Sequence, residues 1–144
     1  MKSIFFAALV GCGLLMACHS AKKVSATTTD ASKLAGSWEL NYISSPGASF
    51  DTLYSVKKPV IQFDITNNKV FGNTGCNNFN GPLKIDGNKM DFTQPMAMTR
   101  MMCPGNGENV FIGTLQKVNR WAISSDNTLT FISGDIVIMR FVKK

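Results

Sequence analysis

Apolar and polar residues alternate along much of this chain after residue 34. This period of two is typical of strands that bury one face of a sheet. The alternating apolar positions of the two clearest segments are Trp38, Leu40 and Tyr42, then Ile61, Phe63 and Ile65. The pattern predicts a domain made mostly of half-buried strands.

Short turn signals separate the predicted strands. Three pairs of turn-forming residues lie between alternating segments: Asn67-Asn68, Asp86-Gly87 and Asp126-Asn127. Asn, Asp and Gly adopt the positive φ of tight hairpin turns at little cost. Gly134 likewise precedes the last predicted strand, residues 136–142. Because turns this short join neighbouring strands, we expect the strands to pair antiparallel.

One helix is predicted over residues 107–119, with Asn106 as its N-cap. Its apolar face holds Phe111, Leu115 and Val118. Glu108 lies near the positive end of the helix dipole. About three turns are marginal alone in water, so this helix is expected to dock on the sheet.

The last strand differs from the others, because residues 136–139 are apolar at every position. A continuous apolar run predicts a strand covered on both faces, with the helix as a candidate cover. The predicted fold is therefore mainly β (α+β). It is an antiparallel, partly closed sheet or half-barrel with one docked α-helix before the last strands.

The first eighteen residues follow another pattern, that of an export signal. Lys2 precedes an uncharged apolar run from Ile4 to Met16, which is too short to span a bilayer comfortably. The sequence Leu15-Met16-Ala17-Cys18 resembles the lipobox of bacterial lipoprotein precursors. This resemblance implies that Cys18 is acylated, with chains such as palmitate, and becomes the first residue of the mature protein. Two or three acyl chains would make membrane attachment effectively permanent.

The chain is therefore predicted to have three parts: a signal peptide at residues 1–17, a lipidated Cys18 with a flexible linker to residue 33, and one domain at residues 34–144. The linker is rich in Ser, Thr and Ala and has too little apolar surface to fold. His19 follows Cys18 where inner-membrane lipoproteins tend to have Asp. We therefore expect an outer-membrane location facing the periplasm.

The charge balance is basic, with 15 Lys and Arg against 9 Asp and Glu. Nucleic-acid binding is nevertheless not expected, because the chain is predicted to be exported and the basic residues form no stripe or recognition motif. The surplus fits solubility or loose contact with anionic lipid headgroups.

Two thiols, Cys76 and Cys103, remain once Cys12 is removed with the signal and Cys18 is acylated. An oxidising compartment predicts a disulfide between them. The alternatives are a pair of free buried thiols or a redox couple, although neither cysteine has a CxxC partner or a flanking histidine.

The ordered motifs of the domain resemble the META domain, also called HslJ-like. The matching residues are Gly36, Trp38, Gly75, Cys76, Asn77, Thr99, Met101, Cys103 and Glu108. The resemblance implies a compact β-rich domain with one helix, commonly found on bacterial envelope lipoproteins. The family is associated with heat-shock induction and with tolerance of the antibiotic novobiocin.

The residues themselves favour a structural interpretation of these motifs. Gly75 and its neighbouring asparagines form a tight loop pinned by Cys76, with a binding role for the asparagines as the alternative. Thr99 and Glu108 are expected to organise this loop through hydrogen bonds. The domain has no histidine, because His19 lies in the linker, so no Ser-His or Cys-His catalytic pair is expected. We therefore predict a non-enzymatic binding or stress-protective module without cofactor or metal, anchored in the membrane and able to contact another envelope protein.

Two alternatives remain open. Clustered methionines at positions 96, 98, 101 and 102 suggest a Cu(I) site, although Met is also a common core filler. Gly36-Ser37-Trp38 resembles the Gly-x-Trp signature of lipocalins, which would make the protein a carrier of a small apolar ligand inside a closed barrel. A core filled by aromatic side chains would argue against the carrier.

Overall fold

The computed structural model describes residues 27–144. Eleven strands form most of the regular secondary structure in this part of the chain. They are β1 (Thr27–Thr28), β2 (Gly36–Ile43), β3 (Val60–Asp64), β4 (Lys69–Asn73), β5 (Asn78–Pro82), β6 (Lys84–Asp86), β7 (Lys89–Asp91), β8 (Ala97–Met98), β9 (Arg120–Ser124), β10 (Thr128–Ser133) and β11 (Ile136–Lys143). The helical elements are α1 (Phe50–Leu53), α2 (Gly107–Leu115) and a 3-10 turn at Ala31–Leu34.

The strands form one curled antiparallel sheet, a half-barrel, as the sequence predicts. Ten strands are hydrogen-bonded in the order β6-β7-β9-β10-β11-β2-β3-β4-β5-β8, and β1 pairs with β9 off this path. Strands β5 and β8 lie at one end of this order, and β6 and β7 lie at the other. The chain from β5 to β8 therefore crosses from one end of the sheet to the other and returns.

The concave interior is filled by aromatic and aliphatic side chains. The large residues with the least exposure are Trp38, Trp121, Phe79, Phe92, Phe111, Phe131 and Phe141. Phe63 is also buried, with its ring centroid 6.4 Å from that of Phe131. A lipocalin-like carrier needs a closed barrel around an open ligand cavity, so this filled half-barrel does not fit that alternative.

The predicted turns are confirmed by the backbone. Asn68 and Asn127 have φ of 51° and 57°, in the left-handed region that asparagine tolerates. Gly87 and Gly134 also have positive φ. The residues that ended each alternating segment thus reverse the chain between β3 and β4, β6 and β7, β9 and β10, and β10 and β11.

Strand β2 departs from the predicted alternation after Leu40. Arg140 lies opposite Tyr42 and Phe141 lies opposite Leu40, so β2 has one extra residue, Asn41, at this point. The bulge reverses the facing of the residues that follow. Tyr42 is consequently half-buried, with the Arg140 guanidinium 4.4 Å from its ring centroid, and Ile43 is buried instead.

The prediction that residues 136–139 are covered on both faces is wrong for the first two. Ile136 is 68% exposed and Val137 is 37% exposed, whereas Ile138 and Met139 are buried. The first two residues lie at the tip of the β10–β11 hairpin, beyond the core. A register shift then leaves Ile138 without a partner in β10, because Val137 pairs with Ile132 and Met139 pairs with Phe131.

Helix α2 begins at the predicted residue and ends four residues early, at Leu115. Lys117 and Val118 donate to the carbonyls three residues before them, and the Asn119 amide donates to the Ile132 carbonyl in β10. The helix thus ends in a tighter turn, after which the chain joins the sheet at Asn119. Asn106 precedes the helix but makes no side-chain cap; its Oδ1 accepts instead from the Asn109 side chain at 2.9 Å.

Two short elements were not predicted. Helix α1 is capped by Ser49, whose Oγ accepts from the Thr52 amide. Residues 27–33, assigned to the linker from sequence, include β1 and most of the 3-10 turn, and Leu34 at the end of this turn is buried. The signal peptide, Cys18 and the linker up to residue 26 lie outside the described residues.

Candidate functional site

The loop between β4 and β5 forms a tight turn over residues 73–77. The Thr74 amide donates to the Asn77 carbonyl at 2.8 Å, and the Gly75 amide donates to Asn73 Oδ1 at 2.8 Å. Gly75 has φ of 94°, and a Cβ there would lie 2.9 Å from the Lys57 carbonyl oxygen. The turn therefore requires glycine both for its backbone conformation and for its close approach to a neighbouring segment.

Asn77 is the centre of the hydrogen bonds that hold this turn to the rest of the domain. Its side chain is buried, and its Oδ1 accepts from Thr99 Oγ1 at 2.8 Å and from the Met101 amide at 2.7 Å. Its Nδ2 donates to the Met101 carbonyl at 3.0 Å and to Cys103 Sγ at 3.1 Å. The Asn77 carboxamide thus uses both of its donor hydrogens and both of its acceptor positions in hydrogen bonds to one segment, residues 99–103.

A disulfide joins the same two segments covalently. Cys76 and Cys103 are 27 residues apart, and their Cα atoms are separated by 5.9 Å. Both cysteines are half-buried. The predicted pairing is therefore present in the structure, and the free-thiol alternative does not describe this state.

Glu108 connects this loop to the first turn of α2. Thr74 Oγ1 donates to Glu108 Oε2 at 2.7 Å, and the same carboxylate oxygen lies 3.7 Å from Cys103 Sγ. A disulfide sulfur carries no proton, so the second distance is a contact rather than a hydrogen bond. The prediction that Thr99 and Glu108 organise the loop agrees with these bonds.

A pocket of about 220 Å³ opens beside the disulfide. Its lining combines the turn, the disulfide, the start of α2 and the end of α1, including Tyr54, Thr74, Cys76, Cys103 and Glu108. The Tyr54 hydroxyl donates to the Gly107 carbonyl at 3.0 Å, and burial raises its pKa well above the ordinary value. Tyr54 therefore stays neutral and helps to fix the wall of the pocket.

Most of the motif residues meet at this pocket or in the loop behind it. Gly36 and Trp38 do not: they lie at the start of β2, where Trp38 Nε1 donates to the Leu34 carbonyl at 2.7 Å. Sequence reasoning missed Thr74 and Tyr54. Thr74 precedes the motif residue Gly75 in the sequence, which is only a weak signal that it belongs to the site. No residue near Tyr54 in the sequence indicates that its side chain reaches Gly107.

The four methionines lie in two environments. Met96 and Met98 are half-buried and pack against the core, although only Met98 lies in strand β8. Met101 is 60% exposed and Met102 is 99% exposed. The first two methionines therefore act as core fillers, and their Cu(I) role stays an untested prediction.

Several carboxylates outside the pocket belong to turns. Asp64 accepts from the Asn67 side chain and amide, Asp91 accepts from the Thr93 amide, and Asp126 accepts from the Ser124 hydroxyl. These hydrogen bonds lower the pKa of each carboxyl group. Each of these carboxylates accepts hydrogen bonds from residues of its own turn, which stabilises the turn.

Replacing Asn77 by alanine should lower the free energy of unfolding by about 3 kcal/mol, because buried partners in residues 99–103 lose their hydrogen bonds. Urea denaturation of the variant and the parent protein measures this difference. Asn80 is an exposed asparagine of the neighbouring strand and gives the matched control, since its alanine variant should change stability by less than about 0.5 kcal/mol. Equal losses at the two positions would contradict the central role of Asn77.

The fold and the site define a class: a half-barrel domain with one docked helix and a disulfide-pinned loop beside a small pocket. The META domain family model matches residues 32–144. The chain belongs to the META domain family.

Two solved structures share this fold. An NMR structure of a protein from Burkholderia xenovorans is 18% identical, with a TM-score of 0.59 over 79% of this chain and 87% of that one. A second NMR structure is 20% identical, with a TM-score of 0.56 over 76% of this chain and 90% of that one. No curated protein matches the sequence at a significant level.

None of the helices between residues 27 and 144 is long and apolar enough to cross a membrane.

Proposed function

We propose that this protein is a lipid-anchored, non-enzymatic component of the bacterial cell envelope. In this proposal its META domain is a binding or stress-protective module held at the periplasmic face of the outer membrane. The Leu15-Met16-Ala17-Cys18 sequence supports the anchor. The family resemblance supports heat-shock induction and a role in tolerance of novobiocin.

One observation carries the binding role: bonds within the chain itself hold the pocket beside the disulfide in shape. A covalent bond and the four hydrogen bonds of Asn77 fix its floor. Preformed concave sites with a few polar groups are typical of binding sites. A volume of about 220 Å³ suits a side chain or a smaller group better than a drug-sized molecule.

The chemistry of the pocket favours binding over catalysis. Its polar groups include the Glu108 carboxylate, the Thr74 hydroxyl, which donates to that carboxylate, and the neutral Tyr54 hydroxyl. Thr52, Ser55 and Lys57 also line the pocket. None of these side chains is an imidazole, because the one histidine of the chain is His19, so the set lacks the Ser-His or Cys-His pair of nucleophilic catalysis.

The anchor would keep the pocket close to the bilayer. Eight residues lie between Cys18 and Thr27 at the start of β1, and a fully extended chain from one to the other reaches about 30 Å. Ligands or envelope proteins that approach the membrane surface are therefore the partners that this module would meet.

Cys18→Ser and Cys12→Ser test the anchor as a matched pair. Both remove one cysteine from the first eighteen residues, but only the first removes the proposed acylation site. Labelling with an alkyne analogue of palmitate should mark the parent protein and Cys12→Ser, and should leave Cys18→Ser unlabelled. An unlabelled parent protein, or label that persists in Cys18→Ser, would contradict the anchor.

The same variants test the protective role in a strain that lacks the gene. The parent protein and Cys12→Ser should restore survival after heat and novobiocin, whereas Cys18→Ser should not restore it. Full protection by Cys18→Ser would show that the role does not need the membrane.

A further inference from the structure

We propose that reduction of the Cys76–Cys103 disulfide converts the floor of the pocket into a Zn²⁺ site, with Glu108 as the third protein ligand. The two sulfurs and a Glu108 carboxylate oxygen all lie within 4.8 Å of one another. Two thiolates and one carboxylate form a donor set that Zn²⁺ accepts. This inference rests on the pocket of the proposed binding role and does not depend on the lipid anchor.

The geometry needs a small change to hold the metal. With Zn–S bonds of about 2.3 Å and a Zn–O bond of about 2.0 Å, tetrahedral ligand atoms lie roughly 3.5 Å apart for S and O and roughly 3.8 Å apart for two S. The distance from Cys103 Sγ to Glu108 Oε2 is already 3.7 Å. The two sulfurs must separate once their bond is reduced, and Cα atoms 5.9 Å apart allow this through side-chain rotation.

Neighbouring groups already orient two of the three ligands. Thr74 Oγ1 donates to Glu108 Oε2, which leaves that oxygen a lone pair for a metal. Asn77 Nδ2 donates to Cys103 Sγ, and such a donor stabilises a thiolate. Hydrogen bonds of this kind commonly hold metal ligands in place.

The pocket supplies the fourth coordination position. Cys76, Cys103 and Glu108 all line it, so a water molecule or a donor from a partner can reach the metal from the open side. A zinc ion with three protein ligands and one open position can bind further groups. The protein could therefore bind a partner that supplies the fourth ligand of the zinc ion.

The reaction balances with a thiol reductant. A dithiol transfers two electrons and two protons to the sulfur pair and becomes a disulfide itself, which leaves two thiols on the protein. Zn²⁺ then replaces both thiol protons, which pass to the solvent. The oxidised protein has no thiolate, so metal binding should depend on the redox state.

The experiment uses the full chain in detergent with Cys12 and Cys18 replaced by serine, so that Cys76 and Cys103 are the remaining thiols. The protein is reduced with a phosphine, which becomes its oxide with oxygen from water, and is then titrated anaerobically with Zn²⁺ against a chromophoric chelator. The reduced protein should bind one equivalent and the oxidised protein should bind none. Co²⁺ in place of Zn²⁺ should give a thiolate charge-transfer band.

Glu108→Gln and Glu39→Gln provide a matched pair of variants. Both remove a half-buried glutamate, and Glu39 lies away from the pocket in β2, paired with Lys144. Loss of one zinc ligand should weaken binding at least about 10-fold in Glu108→Gln, and Glu39→Gln should bind like the parent protein. Zn²⁺ binding that is equally tight in Glu108→Gln would identify a bare dithiol site and contradict the proposal.

The remaining outcomes support or overturn the proposed zinc site. Absence of stoichiometric Zn²⁺ binding to the reduced protein, or equal binding to the oxidised protein, would overturn it. Reduction itself could unfold the domain, which circular dichroism would detect. In that case, refolding on addition of Zn²⁺ supports the proposed site, and failure to refold overturns the proposal. The palmitate-labelling result is independent of all these outcomes, so failure of the zinc site is distinguishable from failure of the proposed anchor.

Discussion

Replacing Phe131 by alanine should lower the free energy of unfolding by about 4 kcal/mol, the largest loss that we expect from a single substitution. Phe131 is fully buried in β10. Its ring centroid lies 5.5 Å from that of Phe92 and 5.0 Å from that of Phe141. The loss combines the burial of the ring with the cavity left among these neighbours.

Phe71→Ala is the matched control for this prediction. Phe71 is also a strand phenylalanine, but it is 39% exposed on β4. Its truncation should cost less than about 1 kcal/mol. Urea denaturation followed by tryptophan fluorescence compares the two variants, and a cost at Phe131 no larger than at Phe71 would contradict the central position of Phe131 in the core.

Loss of the Cys76–Cys103 bond should lower the free energy of unfolding by roughly 3.5 kcal/mol, the second-largest expected effect. Cross-linking residues 27 positions apart restricts the unfolded chain, and the loop-closure model gives this magnitude for a ring of about 28 residues. The double variant Cys76→Ala/Cys103→Ala should therefore unfold at a lower urea concentration than the oxidised parent protein.

A chelator keeps metal binding out of this measurement, and the reductant supplies the control. Reduction should destabilise the parent protein by about as much as the double substitution does, and it should have no effect on the double variant. If the reduced and oxidised parent proteins unfold at the same urea concentration, the disulfide does not contribute as expected.

The fold could be predicted from sequence where local patterns and tertiary structure agree. Asn68 and Asn127 stop alternating segments in the sequence, and their positive φ reverses the chain in the structure. The start of α2 is readable for a similar reason, because an apolar face of period 3.6 replaces the alternation there. Local signals of this kind depend on few other residues.

The rest depends on contacts between segments that are distant in sequence. Asn41 resembles any polar residue of an alternating strand, but pairing with β11 makes it a bulge and turns Ile43 inward. Asn119 leaves the helix because its amide bonds the Ile132 carbonyl in β10. A single sequence does not indicate which distant residues will form these contacts.

The candidate site likewise combines features that local sequence predicts with features that depend on distant contacts. The sequence predicts the pairing of Cys76 with Cys103 and the role of Glu108 as an organiser of the loop. Asn77 was identified as a motif residue, but its four bonds to residues 99–103 need the folded arrangement. Tyr54 enters the site only because helix α1 brings it against Gly107.

The path of the chain between the two cysteines has a mechanical consequence. This stretch leaves β5, forms β6 and β7 at the far end of the strand order, and returns to β8. The backbone itself therefore connects both ends of the sheet, and the disulfide closes this stretch at the end formed by β5 and β8. Because the end strands β6 and β8 have only three and two residues and are tied to each other by this stretch, the sheet offers no long unpaired edge between residues 27 and 144, which disfavours edge-to-edge aggregation.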